Sequence, residues 1–94
     1  MAPRGDRAQL RERDAGVVLA FTPSGRVTVR SIGPDAAPEG TWVHDPLGRF
    51  RGRVVRVFGP VAQPYLAVEP TKVPTPVEAS ALLGVHLLSG GPPR

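Results

Sequence analysis

The chain has 94 residues and a net charge of +4, from 12 basic and 8 acidic side chains. It has no cysteine, which excludes disulfides and thiolate metal sites. No apolar run approaches the roughly 18 residues of a membrane-spanning helix, and the opening MAPRGDRAQLRERD lacks the apolar segment of a signal peptide. A soluble, intracellular, single-domain protein is the expectation.

Lys72 is the single lysine, so arginine supplies the rest of the basic charge. A basic surplus suits a partner or an assembly that carries nucleic acid. GC-rich coding produces the same bias without any such partner. Asparagine is absent, glutamine occurs only at Gln9 and Gln63, and there are 12 prolines. That composition fits a thermophile, which avoids deamidating residues and stiffens its loops.

Residues 1–14 mix charges without apolar periodicity and read as a flexible basic arm. GVVLAFT, residues 16–22, is rich in strand formers, and Pro23-Ser24-Gly25 supplies a turn. RVTVRSI, residues 26–32, alternates, with Val27 and Val29 facing one side and Arg26, Thr28 and Arg30 the other. These two runs predict a hairpin. GPDAAPEG, residues 33–40, is a loop. Residues 41–43 form a brief strand, in which Trp42 is expected to be partly buried in the barrel. Asp45 before Pro46 suits a turn in which its carboxylate bonds the following backbone.

Residues 49–58 predict the first arm of a central hairpin. Phe50, Gly52 and Val54 share one face, and Arg51 and Arg53 the other. The adjacent Val54-Val55 breaks the alternation and predicts a bulge between 52 and 55. Residues 65–68 form the return arm, which places Glu69 across from the Arg51/Arg53 row. PTKVPTP, residues 70–76, is too proline-rich for a central strand. Residues 77–83 suit either a helical turn or an extended run, and 84–88 a closing strand. His86 reads there as an ordinary strand residue. The organisation is an arm over 1–14, one barrel domain over 15–89 and a Gly/Pro tail over 90–94. About six short strands with turn signals every 8 to 12 residues make the fold all-β, a small barrel or sandwich, and closure suits so short a chain because it leaves no strand edge open.

The residues show no catalytic constellation. No serine sits in a nucleophile elbow, and Asp35, Glu39 and Asp45 lie in or beside turns. There is no phosphate-cradling glycine loop, and His44 and His86 lack metal-ligand spacing. A non-enzymatic role without metal or cofactor is expected.

The residues that stand out run from Val43 to Pro70. Val43-His44-Asp45, Gly52, Val57-Phe58-Gly59-Pro60-Val61 and Pro64-Tyr65-Leu66-Ala67-Val68 with Pro70 follow the series V-x-D…G-x-V…V-F-G-P-V-x-x-P-Y-x-x-V-x-P. This series resembles the archaeal Gar-one family, a core subunit of H/ACA ribonucleoproteins. The chain departs from it at Arg56, commonly acidic, at Glu69, commonly basic, and at His44, frequently Tyr; the opposite signs at 56 and 69 raise the question of a compensating swap.

The resemblance implies a closed six-stranded β-barrel similar to the second domain of translation elongation factors. It implies a non-catalytic subunit that binds the catalytic domain of the particle's pseudouridine synthase, a dyskerin homologue, with guide RNA reached only indirectly. The family influences substrate loading and product release during pseudouridylation of ribosomal RNA. A cytoplasmic particle of an archaeal cell is the setting it implies.

The residue chemistry agrees with a docking role. A Gly-Pro tip loses little freedom on binding, and apolar and aromatic groups anchor interfaces. The candidate partner-binding residues are therefore Phe58, Gly59, Pro60, Val61, Pro64 and Tyr65. Phe58 and Tyr65 also suit the barrel core. A second reading is a stand-alone RNA-binding barrel of a translation or ribosome-maturation factor, with Arg26, Arg30, Arg51 and Arg53 as candidate phosphate contacts.

Overall fold

The computed structural model describes residues 12–90. Six antiparallel strands close a barrel: β1 (Glu12–Phe21), β2 (Val27–Arg30), β3 (Trp42–His44), β4 (Arg51–Phe58), β5 (Tyr65–Pro70) and β6 (His86–Gly90). One helix, α1 (Pro76–Leu82), lies between β5 and β6. Around the barrel the order is β1-β2-β5-β4-β3-β6, with β6 returning to β1.

Alternation decides what fills the barrel. Val18, Val27, Val29, Val43, Val54, Leu66, Val68 and Leu87 point inward and are essentially inaccessible to solvent. Burying each such side chain contributes about 1.5–3 kcal/mol before the cost of ordering it. Phe50 is also buried and packs in the same core. The face assignment from sequence holds on β4, where Gly52 and Val54 are buried while Arg51 and Arg53 are exposed.

The strands bend where the alternation slips. Between β4 and β5 the register shifts from Val54↔Val68 to Arg56↔Ala67, leaving Val55 as the extra residue. The bulge expected over 52–55 is therefore at its C-terminal end. β1 is the longest strand and carries two register shifts, one against each neighbour. Bends of this kind let one strand pair with two partners and close the barrel.

The domain boundaries are corrected outward. β1 begins at Glu12 and β6 runs to Gly90, so Glu12, Arg13, Asp14 and Gly90 belong to the barrel and not to the arm or the tail. The rest of the arm and of the tail lie outside the described residues. Pro70 ends β5 opposite Gly52, a strand terminus where a missing N–H is tolerated. Residues 76–82 are helical. Thr75 Oγ1 accepts from Glu78 N–H at 3.2 Å, and Thr75 N–H donates to Glu78 Oε1 at 2.9 Å. Pro76 stands in the first turn. This reciprocal cap was legible in T-P-V-E. The helix buries Leu82 against the barrel core.

Trp42 is the main correction. It lies on the outer face, 44% exposed, because its neighbour Val43 takes the inward position. Strand alternation admits only one of the two, and the compact valine fits the narrow interior.

Candidate functional site: the β4–β5 hairpin end

Phe58 ends β4 and Tyr65 begins β5, and the two are register partners. Their rings meet with centroids 5.7 Å apart and planes tilted by 38°. Leu66 occupies the adjoining inward position, so the Phe58–Tyr65 pair faces outward. Phe58 is thus an outer-face residue, not a barrel plug; Phe50 takes the buried aromatic role. Arg56 adds its guanidinium carbon 5.6 Å from the Phe58 ring centroid.

Residues 59–64 cross from one ring to the other. Gly59 has φ +91°, a left-handed conformation that few side chains adopt. Val61 at the far side is 89% exposed, and Pro60 is also exposed. Pro64 is buried, and its carbonyl is the anchor of the segment. It accepts from Ser31 N–H at 3.0 Å and from Ser31 Oγ–H at 2.7 Å. Gln63 Nε2 donates back to the Ser31 carbonyl at 3.2 Å. Three bonds thus tie the end of the loop to the residue following β2. Two prolines and this anchor leave the segment little freedom to lose on docking.

The sequence singled out the loop but not what holds it. Ser31 is one small polar residue near the end of the second run, and its partner lies 33 positions away. Ile32, 53% exposed, follows it and adds apolar surface beside the anchor. No local pattern reports a bond of that sequence separation.

The four candidate phosphate-binding arginines fall in separate places. Arg30 is a register partner of Tyr65 and adds positive charge to the hairpin end. Arg51 and Arg53 sit further back along β4, on the outer face with Trp42. Arg26 stands at the β1–β2 turn, its backbone N–H bonded to Thr22 Oγ1 at 3.0 Å. Arg56 and Glu69, the two charge departures, are not register partners: Arg56 faces Ala67 and Glu69 faces Arg53. A compensating swap through direct cross-strand pairing is therefore ruled out.

Asp45 and His86 have structural partners. Asp45 is buried, and its Oδ1 accepts from Phe50 N–H at 2.7 Å, closing the β3–β4 turn. His86 Nδ1 lies 2.6 Å from Asp14 Oδ2, both exposed, in a β1–β6 cross-strand contact. Among the described residues, no group of three or more His, Cys, Asp or Glu side chains is placed to hold a metal ion. A cavity of about 570 Å³ lies at the other end of β4, between the 45–50 turn and α1. Phe50 and Leu82 line it, with Arg49 and Lys72 also contributing, and it includes no residue of the 58–65 hairpin end.

No protein-family model and no curated protein matches the chain. Fold and site together define a small closed β-barrel that presents a pinned, apolar hairpin end.

Proposed function

We propose that this chain is a non-catalytic subunit of an H/ACA ribonucleoprotein, docking on the pseudouridine synthase through residues 58–65. The observation that carries this reading is the outward-facing Phe58–Tyr65 pair, joined by a loop anchored at Pro64 and exposing Val61. Exposed apolar groups on a stiff loop suit a protein partner, since docking buries them without much ordering cost. The motif resemblance supplies the identity of that partner. The barrel's closure and strand count agree with the closed six-stranded barrel that the resemblance implies. In this role the subunit aids substrate loading and product release by the synthase, within a cytoplasmic archaeal particle.

The test is co-elution of the purified chain with the synthase in the absence of RNA. The double substitution Val61→Asp with Tyr65→Ala is expected to weaken complex formation by at least about tenfold, given that interface anchors contribute roughly 2 kcal/mol or more each. Circular dichroism confirms that the variant remains folded. Unchanged binding by that folded variant removes the hairpin end from the interface. Failure of the wild-type chain to bind any such synthase favours the alternative, a stand-alone RNA-binding barrel of a translation or ribosome-maturation factor.

A further inference from the structure

A second outward-facing cluster lies on β3 and β4, about 15 Å along β4 from Phe58 at the usual strand rise. Trp42 and Arg53 are register partners, and Arg51 is the partner of His44 on the same two strands. The Arg51 guanidinium carbon lies 4.9 Å from the Trp42 ring centroid, and that of Arg53 lies 5.5 Å away. Beside them opens a shallow notch of about 250 Å³, lined by Trp42, Arg53, Val55, Glu69, Pro70 and Thr71. Trp42 gives this notch an aromatic wall, Val55 and Pro70 give it apolar surface, and Arg53 gives it a cation.

We propose that this face binds single-stranded nucleic acid, with one base in the notch against Trp42 and the adjoining phosphates on Arg51 and Arg53. Each part of the cluster matches one part of that ligand. A guanidinium held against an indole keeps its N–H edge available for phosphate oxygens. An exposed aromatic wall beside apolar surface accepts the flat face of an unpaired base. Val55, the extra residue of the β4 bulge, is one of the residues that line the notch. Glu69, the acid on the notch, faces Arg53 across the ladder, so its charge is offset on the side where phosphate approaches. A duplex keeps its base faces stacked inside and cannot use the wall. An acidic peptide would use the cations but leave the planar notch unfilled. The inference goes beyond the family resemblance, which implies little or no contact with guide RNA. It is independent of what docks on the hairpin end.

Trp42 is the only tryptophan, so its own fluorescence reports on the site. The purified full chain is titrated with a single-stranded RNA of about ten nucleotides, within the range that OB-fold barrels cover. Saturable quenching is expected, with affinity falling as salt rises. Binding to labelled RNA, followed by anisotropy, is expected to weaken at least about fivefold in Trp42→Ala, the lower end of a lost stacking contact. Arg51→Gln with Arg53→Gln is expected to weaken binding and reduce the salt slope by about one to two. Val77→Ser, exposed on α1 and outside both clusters, is expected to bind RNA as the wild type does. Absence of saturable quenching overturns the proposal. So does equal affinity for polyglutamate or for duplex RNA of the same length, and so does unchanged affinity in a folded Trp42→Ala variant.

Discussion

The ring of Tyr65 occupies the space that a side chain on Gly59 would need. A Cβ built on Gly59 would stand 2.6 Å from Tyr65 Cδ2, far inside any real contact, and the backbone there has φ +91°. The glycine of the F-G-P series is therefore required twice, by the turn and by the aromatic ring folded back over it. Gly59→Ala is expected to destabilise the chain by about 1–3 kcal/mol, the cost of holding a strained residue, even where the ring moves aside. If the ring does move, the docking surface is altered as well. Thermal unfolding and complex formation, measured on the same variant, separate the two. A variant that keeps both wild-type stability and wild-type binding contradicts the geometry.

Ser31 holds the far end of the same loop. Its hydroxyl is within bonding distance of the carbonyls of both Pro64, at 2.7 Å, and Gly33, at 2.9 Å. The residue is 1% exposed, so water does not replace it readily. In Ser31→Ala the Pro64 carbonyl keeps the bond from the residue 31 backbone N–H, which limits the loss. A cost of about 1–2 kcal/mol is expected. The more specific outcome is local. Hydrogen exchange should quicken over 61–65 while the amides of β1 and β6 keep their protection. Uniform loss of protection throughout the barrel would show that Ser31 supports the core and not the loop.

Gly52 shows a different need for glycine, one of space and not of backbone angle. A Cβ there would meet Val68 Cγ1 at 2.7 Å and the Glu69 carbonyl oxygen at 2.8 Å. Val68 is fully buried, and the carbonyl belongs to the neighbouring strand, so neither can step aside at small cost. Gly52→Ala is expected to destabilise the barrel by about 1–3 kcal/mol, the usual range for overpacking a filled core. A chemical denaturation midpoint within error of the wild type would refute the close approach.

Most of the architecture was legible in the chain because strand alternation is a local code. Val27 and Val29 against Arg26 and Arg30, or Gly52 and Val54 against Arg51 and Arg53, assign inside and outside with no knowledge of the partner strand. The proline- and glycine-bearing connections mark where strands stop. The capped helix over 76–82 was equally written, in the Thr75–Glu78 spacing, but its shortness leaves a turn and an extended run hard to tell apart by periodicity.

Trp42 was not legible in the same way. Its size argued for burial, yet the parity of a three-residue strand cannot be read without knowing which neighbour faces inward. Only closure of the barrel settled that, by giving the inner position to Val43. Phe58 posed the same problem, and the β4 bulge settled it by resetting parity after Val54; Tyr65 follows from the unbroken alternation of β5, in which Leu66 and Val68 face inward.

What the sequence determined alone is the set of strands, the turns between them and the hairpin segment bearing the F-G-P-V-x-x-P-Y series. Those follow from side-chain shape and backbone preference, which act over a few residues. What the tertiary structure decided is which aromatics face solvent, which arginines stand together and what immobilises the loop. The Ser31–Pro64 anchor and the Trp42–Arg53 register depend on strand order and closure. Those are fixed by burying one shared core, a condition on the whole chain that no short stretch of it can express.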